Sequence, residues 1–111
     1  MKKSLRGCIV AAAALAAVAV PAQAALTLYA ESDYRGWIGT FSSAMSRPHN
    51  MSRNANDTLS SYKNQTSYTA AFWHDADGRG RCFSARPWTN AAWFVFWDDN
   101  KVSSFQLGRG C

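Results

Sequence analysis

Leu26-Thr27-Leu28-Tyr29-Ala30-Glu31 alternates apolar residues with polar or small ones, the period of a half-buried β-strand. Ser32 to Gly36 reads as a turn, with Gly36 supplying a backbone angle that other residues resist. Trp37 to Phe41 returns as a second strand. Residues 43–56 carry Pro48 and many Asn and Ser residues, which predicts a long loop with a short third strand near Met51. Ser60 to Thr66 predicts a fourth strand with Tyr62 facing inward. The second half repeats the sequence of elements. Tyr68 to Asp75 is strand-like, Asp77 to Gly80 is a turn, and Arg81 to Ala85 returns. Pro87 to Asn90 predicts a loop, the continuous apolar run Ala92 to Trp97 a strand, and Ser103 to Leu107 the last strand. Past the first two dozen residues no helical period runs for a useful length. About eight short antiparallel strands separated by turns predict an all-β sandwich of two Greek-key motifs, one over residues 25–66 and one over 67–111.

Two local signals recur in the same order. Tyr29-Ala30-Glu31-Ser32-Asp33-Tyr34-Arg35-Gly36 is an aromatic, four residues, an aromatic, one residue and a glycine. Trp73 to Gly80 repeats it 44 residues later, with Gly78 in place of the second aromatic. Asn56-Asp57-Thr58-Leu59-Ser60-Ser61 is matched 43 residues later by Asp99-Asn100-Lys101-Val102-Ser103-Ser104. Either hexapeptide alone is weak, because Asn, Asp and Ser crowd every loop. Two signals at nearly one offset make an internal duplication.

Composition trims this picture to the part that folds. Lys2, Lys3 and Arg6 precede an apolar run from Cys8 to Val20, and Ala22-Gln23-Ala24 offers a small-residue cleavage site. This reads as a signal peptide over residues 1–24, too short in its apolar run to be a membrane anchor. The product is expected outside the cytoplasm, periplasmic or extracellular, with one domain over residues 25–111. Losing those three cations takes the net charge from +5 to +2, which argues against a nucleic-acid partner. No membrane contact is expected after cleavage, and the module is expected to be monomeric. All five Trp, four Tyr and six Phe lie after the leader. So do Cys82 and Cys111, an even pair that in an exported chain reads as one disulfide. A metal site joining two free thiols to His49 or His74 is the alternative, but it lacks close ligand spacing.

The paired hairpin and serine signals resemble the double signature of microbial βγ-crystallin domains, and the resemblance spans essentially all of residues 25–111. It implies a fold of two intertwined Greek keys and calcium bound by the serine hexapeptides. The residues suit that chemistry: calcium takes six to eight oxygens at roughly 2.3–2.6 Å, and each hexapeptide has side-chain and carbonyl oxygen within a few residues. By resemblance, one site uses Asp57, the Thr58 carbonyl and Ser60, with a carbonyl near Asp75. The other uses Asn100, the Lys101 carbonyl and Ser103, with Glu31. Ser61 and Ser104 are expected to hold the loops. The plain alternative is that the hexapeptides are structural turns whose Asn, Asp and Ser bond their own backbone. Few formal charges imply weak affinity, on the order of 10⁻⁵–10⁻³ M. Gly78 departs from the pattern and puts the packing of the second hairpin in question.

Two functions follow. The first is a secreted, non-catalytic calcium-binding module stabilised by its ion. The second comes from a further resemblance: Asn56 to Thr66 is similar to a segment of a bacterial secreted metalloproteinase-inhibitor family of the same fold. That implies an extracellular protease as partner, with Pro87 to Ala92 as the loop to test. Catalysis is not expected, since general acid–base chemistry needs convergent groups. Asp98 and Asp99 are adjacent and should point apart, while His49 and His74 read as surface or turn residues. Gly78-Arg79-Gly80-Arg81 reads as a solvated hairpin. Trp88 and Trp93 read as core, or else as an exposed patch for carbohydrate or protein.

Overall fold

The structure, a computed structural model, describes residues 24–111. The predicted leader lies outside this range apart from its last residue. Strands β1 (Leu26–Glu31), β2 (Arg35–Phe41), β3 (His49–Asn50) and β4 (Ser61–Asn64) come from the first half. Strands β5 (Ala70–Asp75), β6 (Arg79–Ala85), β7 (Thr89–Ala91) and β8 (Ser104–Leu107) come from the second. They form two four-stranded antiparallel sheets, ordered β2-β1-β4-β7 and β3-β8-β5-β6. Each sheet holds three strands of one half and one of the other. β3 crosses to pair with β8, and β7 crosses to pair with β4. The chain is therefore the all-β, two-Greek-key sandwich that its alternation predicted, with the keys interlocked.

The core lies between the sheets. Leu26, Leu28 and Tyr62 from one sheet meet Ala70, Phe72, Ala85, Phe105 and Leu107 from the other. Leu59 and Val102 close it from the loops, both fully buried, and each such side chain contributes roughly 1.5–3 kcal/mol. They occupy the fourth place of the two serine hexapeptides, so the loops are pinned to the core through the residue that the repeat left free.

One predicted strand is wrong. Ala92 to Trp97 is irregular and turns over, whereas the strand of this region is β7, which begins within the segment predicted as a loop and ends one residue past it. Thr89, Asn90 and Ala91 pair with Asn64, Lys63 and Tyr62, and so take the free edge of the short strand β4. Beyond Ala91 the chain leaves the sheet to reach the second hexapeptide. Only Phe94 of the run packs inward, its ring 5.2 Å from Phe83 and 6.0 Å from Tyr62. Trp88 and Trp93 are exposed rather than core. The third strand falls one residue earlier than Met51.

Cys82 and Cys111 are bonded, with Cα atoms 5.9 Å apart. The C-terminal tail is drawn onto β5 and β6: the Arg109 guanidinium sits 5.5 Å over the Trp73 ring, and the Cys111 amide donates to Ser84 Oγ at 3.0 Å. The cross-link closes a loop across 29 positions of sequence, which in the chain-entropy view restricts the unfolded state by about 3–4 kcal/mol.

Candidate functional site

Two surfaces carry chemistry, and the first is built by the duplication. At the first, the two hexapeptides cross each other. The Asp57 amide donates to the Val102 carbonyl at 3.0 Å, and the Asn100 amide donates to the Leu59 carbonyl at 3.1 Å. Asp57 and Asn100, the second residue of each motif, both adopt left-handed backbone at φ 60° and 58°, a conformation that Asp and Asn tolerate better than most. The sixth residues tie each loop to its hairpin. Ser61 Oγ donates to the Glu31 carbonyl and accepts from the Tyr34 amide, at 2.6 and 3.1 Å. Ser104 Oγ does the same with Asp75 and Gly78, at 2.6 and 3.0 Å.

The fifth residues exchange partners. Ser60 Oγ donates to Asn100 Oδ1 at 2.9 Å, and Ser103 Oγ donates to Asp57 Oδ1 at 3.1 Å. Neither hexapeptide thus assembles its own set of side chains. Asp57 stands with Ser103, whose neighbour Ser104 reaches the Asp75 carbonyl. Asn100 stands with Ser60, whose neighbour Ser61 reaches the Glu31 carbonyl. The Thr58 carbonyl lies 3.3 Å from Ser60 Oγ, on the Asn100 side rather than with Asp57. Lys101 is exposed beside Asn100. This pairing is invisible to a reading that takes each motif alone, although a twofold repeat with exchanged strands makes it natural.

The donor set fits a hard, weakly held cation. It consists of carboxylate, amide, hydroxyl and carbonyl oxygens, the kind calcium takes. Asp99 Oδ1, next to Asn100, is buried with no hydrogen-bond partner, an uncompensated carboxylate oxygen that a cation would satisfy. Among the described residues no three His, Cys, Asp or Glu side chains converge, so any ion here would draw on neutral oxygens beside at most a carboxylate or two.

The second surface is the loop between β7 and the second hexapeptide. Trp93 (65% exposed), Phe96 (82%) and Trp97 (48%) project from it, and the Phe96 and Trp97 rings stand edge to face at 5.1 Å. Its backbone turns on the Val95 carbonyl, which accepts from the Asp98 and Asp99 amides at 2.9 and 3.0 Å. Its base is clamped. The Asp33 amide holds the Ala92 carbonyl at 2.7 Å. Asp98 is buried, and its Oδ1 receives both His74 Nε2 of β5 at 2.9 Å and Arg81 Nε of β6 at 2.8 Å. His74 is therefore not the plain surface residue expected, but half of this clamp. Asp98 and Asp99 share no partner: Asp98 Oδ1 meets His74 and Arg81, whereas Asp99 Oδ1 is buried with none. The sequence hint was an acid placed directly after an apolar run.

The model of peptidase inhibitor family I36 matches residues 21–85, more than half of the chain. No curated protein sequence matches significantly. Among solved structures, one described under the evolution of the eye-lens βγ-crystallin domain fold aligns with a TM-score of 0.64 at 16% identity, covering 83% of this chain and 92% of that one. A βγ-crystallin domain from Flavobacterium johnsoniae aligns with a TM-score of 0.59 at 22% identity, over 74% and 91% of the two chains. A double mutant of a βγ-crystallin domain from Clostridium beijerinckii gives 0.61 at 20% identity, over 76% and 96%. These likenesses establish the fold, and the family match establishes descent: the chain belongs to peptidase inhibitor family I36, built on the βγ-crystallin sandwich.

Proposed function

We propose that this protein is a secreted, non-catalytic inhibitor of an extracellular metallopeptidase. The observation that carries the reading is the family match across residues 21–85. The structure supports it physically. An inhibitor must offer a surface whose shape is set before binding, because ordering a loop on contact subtracts from affinity. Here interlocked sheets, a disulfide and a clamped loop leave little to order. The test is inhibition of a thermolysin-like metallopeptidase, beside a subtilisin-like and a papain-like enzyme, by the purified protein at micromolar concentration. Saturable inhibition of the metallopeptidase is expected. Undiminished proteolysis by all three would end the reading.

A second property is favoured by the crossed hexapeptides. Calcium at the Asp57–Ser103 and Asn100–Ser60 pairs would join two loops of different halves, with the hairpin carbonyls near Asp75 and Glu31 as neighbours. One ion at each crossing would act as a brace, binding the folded chain and not the unfolded one. At 100 times its dissociation constant it would add about 2.7 kcal/mol. The two properties are compatible: a braced scaffold is a better inhibitor.

A further inference from the structure

We infer that the loop Trp93–Trp97 is the element that enters the peptidase, with the rings of Phe96 and Trp97 seated in an apolar specificity pocket. The inference rests on the inhibitor reading above and deepens it, and it concerns residues beyond the 21–85 span that carries the family match.

Geometry supplies the first reason. Phe96 and Trp97 lie at the tip of the turn closed on the Val95 carbonyl, so they are the farthest residues from its base. Their rings touch each other; Phe96 is otherwise largely open to solvent and Trp97 about half open. Large exposed aromatics clustered on one loop are uncommon in a monomer and mark contact surfaces, and Trp is among the residues that dominate binding energy. The base, by contrast, is fixed at Ala92, Phe94, Asp98 and Asn100 by hydrogen bonds and ring contacts to other elements of the fold. A stiff base with an apolar tip is what a cleft-filling segment requires.

Area supplies the second. An aromatic side chain buries roughly 150–250 Å² when fully covered. Scaled by their exposure, Trp93, Phe96 and Trp97 offer roughly 400 Å², about half of the ~800 Å² that one partner contributes to a standard inhibitor complex. That is a natural centre for such an interface and too little alone for an obligate dimer of this chain. A membrane surface is a poorer occupant, because residues 88–100 contain no Lys or Arg and end in Asp98, Asp99 and Asn100.

Other segments serve less well. Half of Pro87 to Ala92, the loop favoured by sequence, is strand β7 lying along β4. The groove of about 270 Å³ between β2 and residues 52–58 is lined by Trp37, Ile38, Ala55 and Thr58, and is a hollow rather than a projection.

The experiment compares inhibition constants for the wild type, Phe96→Asp, a Phe96→Asp/Trp97→Asp double variant, and Trp37→Asp as a control exposed ring on the opposite edge strand. Melting temperatures and sedimentation are recorded for each, with flotation on phosphatidylcholine–phosphatidylglycerol vesicles. The expected result is at least a tenfold rise in inhibition constant for Phe96→Asp, more for the double variant, less than twofold for Trp37→Asp, and unchanged melting. Equal inhibition by wild type and double variant would overturn the inference while leaving the inhibitor function intact. So would a double variant that loses only self-association or vesicle binding. If the wild type inhibits nothing, the function itself fails and the loop assignment falls with it.

Discussion

Ser103 places its hydroxyl 3.1 Å from the carboxylate of Asp57, a residue of the other Greek key. With Ser60 and Asn100 mirroring it at 2.9 Å, the two halves are joined at their loops by side-chain oxygens as well as at their sheets by backbone. Calcium at these pairs would read out as stability. Adding millimolar calcium to chelator-treated protein should raise the melting temperature, and Asp57→Asn should shrink that rise. Asn is the informative substitution because it keeps an acceptor for Ser103 and tolerates the left-handed backbone that Asp57 adopts. The check is thermal unfolding with calorimetric titration. No heat and no shift in the wild type would remove calcium from the protein's account.

Gly78 stands where the repeat calls for an aromatic, and the structure explains why. Its backbone is left-handed at φ +69°, like that of its counterpart Tyr34 at 60°. Yet a Cβ at residue 78 would come 2.6 Å from Pro48 Cγ. Pro48, in the loop before β3, occupies the side of the hairpin where the missing ring would begin. Gly78→Tyr should therefore destabilise the chain despite restoring the repeat, by roughly 2–4 kcal/mol from strain and overpacking together. Combining it with Pro48→Ala should recover part of the loss. Chemical denaturation of the two variants measures both effects.

Asp98 is predicted to keep the aromatic loop from being cut. Removing its carboxylate in Asp98→Ala releases His74 and Arg81 from their shared acceptor and frees the base of the turn. Residues 93–99 should then become sensitive to a broad-specificity peptidase at concentrations that leave the wild type whole, because cleavage tracks the population of the opened segment. Mass spectrometry of the fragments locates the cut. Equal resistance in both proteins would show that the clamp does not stiffen the loop.

What the chain disclosed in advance was whatever repeats. Alternation placed β1, turn signals and strand-like composition placed β2, β4, β5, β6 and β8, and the paired signals placed the serine loops, because those features are written in local composition and spacing. Three things were not legible. The first was the exchange of Ser60 and Ser103 between partners, which depends on how the halves face each other rather than on either motif. The second was the fate of Ala92 to Trp97. A run of apolar residues reads as a strand wherever it occurs, but β4 is four residues long and its free edge was already taken by Thr89–Ala91. The third was the use of His74 and Arg81, which lie on β5 and β6 far in sequence from the acid they share. Length of a neighbouring strand and placement of a distant cation are properties of the assembled fold.

The trading of β3 and β7 between sheets has a mechanical outcome. A single nick in the connection between residues 65 and 69 would not release two separate pieces, since each fragment keeps a strand threaded into the other's sheet. For the inhibitor proposed above, that weave would be a form of damage tolerance: one severed peptide bond would leave the rest of the surface where it was.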